Sequence, residues 1–214
     1  MPTDNPSAES PQILREHCVF GENRAYLLMA IARRKENKHL SSSGEIVFRE
    51  VVKDGRDIRR KYDKLRALAR GYRTDSGEGA NFRLYVTVNA RDMRSGYWNF
   101  RERMNGWSRD MVAGDDAVAR KLKRVGGHWM SDLQKSENAD DPCLFLFDVD
   151  DTRRFALNSI TSGLTDHTEL RRVQETPNGY HLITEPFNHT EFESGIEHEL
   201  KTDGMLFVEY LNDD

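Results

Sequence analysis

The chain has 214 residues, 37% of them hydrophobic and 32% charged, with a formal net charge of −4. That profile suits one large domain or two closely packed halves with a real core. It lacks any run near the ~18–20 apolar residues of a membrane span, so no membrane partner is expected. Cys18 and Cys143 lie far apart and Cys143 sits in an apolar run. They read as free thiols of a reducing, cytoplasmic compartment rather than a disulfide, and no Cys/His spacing suggests a structural zinc.

Residues 1–11 have neither the basic nor the apolar region of a secretory signal, and residues 1–19 are expected to form a disordered lead. Residues 20–140 read as an N-terminal α/β half. Tyr26, Leu27, Ala30 and Ile31 recur with helical spacing, which predicts a helix over 21–36. Residues 45–52 are rich in β-branched side chains and predict a strand. A helix follows over 57–72, with Asp57 placed to cap it and Ile58, Tyr62, Leu65, Leu68 and Ala69 on one face. Residues 82–88 predict a strand. Residues 92–136 look helical, with interruptions at Gly96, Gly106, Gly114, Gly126 and Gly127.

The mild net charge hides a pattern. Arg56, Arg59, Arg60, Lys61, Lys64, Arg66, Arg70 and Arg73 crowd one segment, and Arg101, Arg103, Arg109, Arg120, Lys121, Lys123 and Arg124 continue the bias. The last quarter is acidic. A basic half beside an acidic site suits a polyanion held near metal ions, although solvated helix faces give the same pattern. Tyr97, Trp98, Phe100 and Trp107 could stack on bases, but their helical spacing favours core positions.

Residues 141–214 read as a second half. A strand over 143–150 is followed by a helix over 152–163. Strands over 169–175 and 180–186 are joined by the turn Thr176-Pro-Asn-Gly179. A helix over 190–201, with Thr190 and Glu193 at capping-box spacing, leads to a last strand over 205–211. The order βαββαβ is the ferredoxin-like, or RRM-like, arrangement. The expected fold class is therefore α+β, an N-terminal α/β unit packed on a C-terminal RRM-like unit. Right-handed crossovers place the four strands in the order 4-1-3-2, each antiparallel to its neighbours.

The strand Cys143-Leu-Phe-Leu-Phe-Asp-Val-Asp150 ends in two acids. Leu146, Asp148 and Asp150 project from one face, the carboxylates roughly 6–7 Å apart. Such a pair repels unless a cation lies near, and a hard ion such as Mg²⁺ or Mn²⁺ fits. Without one, Asp148→Asn is expected to leave the fold intact or even stabilise it. The predicted topology sets His181 and Glu209 on strands beside this end, with neighbours roughly 4.8 Å apart.

Asp148-Val-Asp150, Gly179-Tyr-His181 and the pair Val208-Glu209 together resemble the motifs of the archaeo-eukaryotic primase superfamily. The resemblance covers residues 40–214 in layout, with Glu rather than the commoner Asp as third acid. It implies a primase-like core with its site in the cleft between the units. Asp148, Asp150 and Glu209 would be the catalytic, metal-holding acids for Mg²⁺ or Mn²⁺. His181, with Asn178 and Gly179, would meet the phosphates of a nucleoside triphosphate. Arg171 or Arg172, or Lys53 and Arg56 from the other half, are the cations able to neutralise that triphosphate. The implied activity is nucleotidyl transfer onto a single-stranded or primed nucleic acid by a DNA primase or polymerase type of enzyme. No zinc module or helicase is attached, so a separate helicase or replication partner is the expected associate.

Three other readings compete. Phe147-Asp-Val-Asp-Asp-Thr152 matches the first motif of haloacid-dehalogenase-like phosphatases, which require a Rossmann-type core of alternating strands and helices. Glu199-Leu-Lys201 resembles part of a nuclease motif, but falls on a predicted helix instead of a strand. A non-catalytic RRM-like module could bind nucleic acid or nucleotide, although the third strand offers only Tyr180 and the nearby Phe187 for stacking.

Overall fold

An unbroken apolar run fits either a buried helix or a strand covered on both sides, and here it is a strand. β1 (Arg24–Arg33) has every residue from Ala25 to Ala32 buried. The expected helix over 21–36 is therefore not formed. Leu28 and Ala30 enter one core while Leu27, Met29 and Ile31 enter another, which is how a central strand hides its period of two. The structure is a computed structural model that describes residues 6–40 and 44–212.

β1 pairs with β2 (Glu45–Val52) and with β3 (Arg83–Thr87), and β3 pairs with β9 (Met205–Tyr210), all antiparallel. A short β4 (Arg91–Asp92) adds to the start of β1, giving five strands in this first sheet. α1 (Pro6–His17) lies where a disordered lead was expected, and its Leu14 is fully buried. α2 (Ile58–Gly71) buries Ile58, Tyr62, Leu65 and Ala69 against one sheet face, while Leu68 stays exposed. Asp57 makes no cap; it accepts from Arg60 Nη2 at 2.8 Å, and Asp54 caps the preceding turn through Arg56 N at 2.9 Å.

The other face of the sheet meets a helical arm made of α3 (Met93–Val112), α4 (Ala117–Lys123) and α5 (Val125–Leu133). Of the glycine interruptions expected there, Gly114 falls at a break, with φ of +88°. Gly96 and Gly106 lie inside α3, and Gly126 and Gly127 inside α5. Gly96 allows close packing of α3 on α5, since a Cβ there would come within 2.6 Å of Leu133 Cδ1 and force that side chain to move.

The second sheet has the order β6-β7-β5-β8, formed by β5 (Phe145–Val149), β6 (Leu170–Thr176), β7 (Gly179–Thr184) and β8 (Glu199–Lys201). α6 (Arg154–Thr165) covers one face, packing Leu157, Ile160 and Leu164 on Phe147, Val149, Tyr180 and Leu182. Burying each of these side chains contributes about 1.5–3 kcal/mol. Leu146 and Ile183, on the opposite face, join the core shared with the first sheet.

Two departures reshape this half. Residues 190–201 are not a helix; a turn of 3₁₀ helix at His189–Glu191 gives way to irregular chain and β8. Phe192, Ile196 and Leu200, four residues apart, imitate a helical stripe but reach the α6 core from non-helical chain. The last strand, β9, leaves this sheet for the first one, so the ferredoxin-like arrangement is not formed as expected. Its place beside β5 is taken by β8. All strand pairs among the described residues are antiparallel.

The halves expected to divide at residue 140 are interleaved instead. Asn89 imitates a strand partner for Leu144, accepting from its N at 2.7 Å and donating to its O at 3.1 Å. Arg91, almost wholly buried, grips Asp203 with two bonds of 3.0 and 2.8 Å. Val88 N donates to Gly204 O at 2.9 Å. A buried, bidentate, charge-assisted contact of this kind holds geometry better than a single bond.

Candidate functional site

β5 delivers Asp148 to the face of its sheet that looks toward the first sheet. In the ladder Asp148 stands opposite His181 of β7 on one side and Glu199 of β8 on the other. Directly paired residues share a face, so the three side chains project together. Lys201 lies one alternation further on the same face.

His181 is buried and held at both nitrogens. Its Nδ1 accepts from Phe207 N at 3.2 Å, which leaves the proton on Nε2, 3.4 Å from Asp148 Oδ1. Lys201 Nζ sits 2.7 Å from Asp148 Oδ2 and 3.0 Å from Glu199 Oε2. The hydrogen bond from His181 and then the one from Lys201 outweigh partial burial and hold the Asp148 carboxyl far below its ordinary range. Burial works against the Lys201 ammonium, but its bonds to Asp148 and Glu199 win and raise it. Asp148 is thus already compensated. Asp148→Asn is accordingly expected to cost stability, contrary to the relief of repulsion read from the sequence.

Asp150 is exposed just beyond the end of β5. Asp148, Asp150, His181 and Lys201 open into a cleft of about 350 Å³ between the sheets, which Arg33, Lys35 and Arg83 line from the β1 and β3 side. Tyr85 and Phe207 also line it, their rings meeting edge to face at 5.8 Å. Arg33 lies over the Tyr85 ring at 5.6 Å, and Arg83 bonds Glu36 at 2.6 Å. A second hollow, of about 390 Å³, reaches Asp148 and Asp150 past Arg153, His198 and Glu199.

The other expected residues scatter. Glu209 does not join the acids. A register shift in the β3–β9 ladder pairs Tyr85 with Phe207 but Leu84 with Glu209, so Val208 is the extra residue of a bulge. Because a one-residue slip changes face, Glu209 goes to the α2 side with Leu84 while Phe207 keeps the cleft side. There Glu209 comes beside Tyr62, whose phenol is pushed above its ordinary range by burial and by that carboxylate. Asn178 lines the cleft from the β6–β7 turn. Gly179 is buried, and a Cβ on it would lie 1.9 Å from Val149 O and 2.7 Å from Asp151 N. Its absent side chain lets β7 start against the end of β5.

Arg171 pairs with Glu185 at 2.6 Å and Glu169 at 3.0 Å, and Arg172 with Glu16 at 3.0 Å. Both line a different cavity, of about 480 Å³, beside α1. Arg56 is engaged with Asp54, and neither it nor Lys53 lines the cleft. The cleft cations are instead Arg33, Lys35, Arg83 and Lys201, none of which the sequence reading proposed. Arg33 and Lys35 were hidden by taking β1 for a helix. The alternation in Glu199-Leu-Lys201 was the available signal for β8, and it lost to the capping-box spacing of Thr190 and Glu193.

Among the described residues, no three His, Cys, Asp or Glu side chains are grouped as a ready-made metal site, and no helix is long and apolar enough to cross a membrane. Compared with known proteins, the chain matches no family model, no curated protein and no solved structure.

Proposed function

We propose that this chain is a primase–polymerase-like nucleotidyltransferase whose inter-sheet cleft takes a nucleoside triphosphate. One observation carries the reading. Two acids and a hydrogen-bonding histidine on one wall of a single cleft face three long cations on the other. Arg33, Lys35 and Arg83 suit the negative oxygens of a triphosphate, and His181 Nε2–H is a donor for one of them.

The donor set fits a hard cation in part. Asp148 and Asp150 would hold Mg²⁺ or Mn²⁺, with Glu199, on the face of Asp148, as the third carboxylate in place of Glu209. When bound, such ions activate a 3′-hydroxyl and stabilise the leaving pyrophosphate. Lys201 must release Asp148 for this, and its freed ammonium becomes a fifth cationic or hydrogen-bonding group for the phosphates. Calorimetry with nucleoside triphosphate and Mn²⁺, followed by extension of a labelled primer, tests the reading. Binding that needs Mn²⁺ and vanishes in Asp148→Asn supports it; absence of binding at millimolar ligand overturns it.

A second reading is favoured by Lys201 itself, which already neutralises Asp148 at 2.7 Å. With that ammonium retained, the cleft binds nucleotide without metal and without catalysis. Binding that is indifferent to Mn²⁺, together with no primer extension, selects this alternative.

A further inference from the structure

The two basic tracts of the sequence have different fates in the structure. On α2, Arg59 bonds Asp63 at 2.9 Å, Arg60 bonds Asp57 at 2.8 Å, and Lys61 and Lys64 both engage Glu50. That tract is largely neutralised by its own neighbours. On α3, Arg94, Arg101 and Arg109 form no ion pair with a carboxylate among the described residues.

These three arginines share one side of α3 with Tyr97, Trp98 and Asn105, at spacings of three, four, seven, eleven and fifteen residues from Arg94. All six are exposed. The opposite side, with Gly96 and Trp107, is the one buried in the arm. Tyr97 and Trp98 keep 54% and 58% of their surface in solvent, large values for rings that the packing could have covered. They meet at 5.6 Å, edge to face, and the Arg101 guanidinium lies 5.0 Å from the Trp98 centroid.

We propose that this outer stripe of α3 binds single-stranded nucleic acid. Bases stack on exposed aromatic rings whatever their identity, and guanidinium groups on either side of the ring pair, without a carboxylate partner, meet the phosphates. A protein partner fits less well, because the core of a protein interface is depleted of charge whereas here arginines flank the one ring pair on both sides. The proposal deepens the nucleotidyltransferase reading and rests on it for what happens to the bound strand. The contact itself does not depend on the cleft.

The test is fluorescence anisotropy of labelled thymidine and uridine homopolymers, with the full chain at low salt. Wild type should bind, and affinity should fall steeply as salt rises. Trp98→Ala and the double variant Arg94→Ala/Arg101→Ala should each weaken binding about tenfold or more. Arg59→Ala/Arg60→Ala on α2 should leave it unchanged. Nucleoside triphosphate binding should be the same in all four proteins, which separates failure of this stripe from failure of the cleft. No binding by wild type, equal binding by the α3 variants, or association of the stripe with a second copy of the chain instead of the oligonucleotide would each overturn the proposal.

Discussion

β5 and β9 are both short, mostly buried strands with a carboxylate near the end, and they deliver those carboxylates to opposite places. β5 keeps one unbroken register with β7 from Phe145 to Val149, so Asp148 arrives opposite His181. β9 slips by one residue against β3, and Glu209 turns away from the cleft toward Tyr62. Alternation along a strand places a side chain only as well as the ladder holds. A bulge that adds one residue is invisible in a pattern of apolar and polar letters, yet it decides whether an acid faces the cleft or the helix.

The comparison breaks most visibly at Gly179, which keeps the β5–β7 ladder tight. Gly179→Ala puts a methyl against backbone atoms of Val149 and Asp151 that cannot swing aside. It is expected to destabilise the fold by about 3 kcal/mol, at the upper end of overpacking effects, in urea unfolding. An unchanged midpoint would mean that the register of β5 is set elsewhere.

Asp148→Asn comes next. It removes the charge that Lys201 and His181 share, at an expected loss of about 1.5–3 kcal/mol at neutral pH. The sign follows from the depressed folded-state carboxyl. Asp148 contributes stability above its unfolded value near 4, and that contribution is lost as pH falls toward the lower folded value. Stability of the wild type should therefore decline below about pH 4 more steeply than that of the variant. Parallel acid limbs in the two proteins would dissolve the assigned contacts.

Glu209→Gln should have the smallest effect. The amide has the same shape and keeps an acceptor beside Tyr62, so a change under about 1 kcal/mol is expected. Mn²⁺-dependent nucleotide binding should be untouched, in contrast to Asp148→Asn. Loss of that binding in Glu209→Gln would show that β9 serves the cleft after all.

The grouping of Asp148, Asp150 and His181 was legible in the sequence because it lay in local runs. Asp148 and Asp150 end an apolar strand, His181 follows a turn, and three of the four expected strands are neighbours in the expected order, while the place expected for residues 205–211 is taken by Glu199–Lys201. What escaped was decided by distant packing. β1 lost its alternation because both of its faces are covered. The irregular segment before β8 carries Thr190 and Glu193 at the spacing of a capping box, although no α-helix follows. Lys201 became visible as a site residue only when that segment was seen as a strand edge against β5. The cations opposite came from β1 and β3, whose position across the cleft no local pattern encodes.

The pairing of β3 with β9 ties the order of synthesis to the order of folding. β3 ends at Thr87, its partner begins at Met205, and Leu211 N and Asn212 Oδ1 close the end of the seam on Phe82. A ribosome therefore exposes the open edge of β3 for the whole time it takes to make the second sheet. Edge strands left waiting invite foreign strands, and long-range pairings form slowly. A nascent chain arrested before Met205 should hold its first sheet unfinished, open to chaperones and proteases, until residues 205–212 emerge.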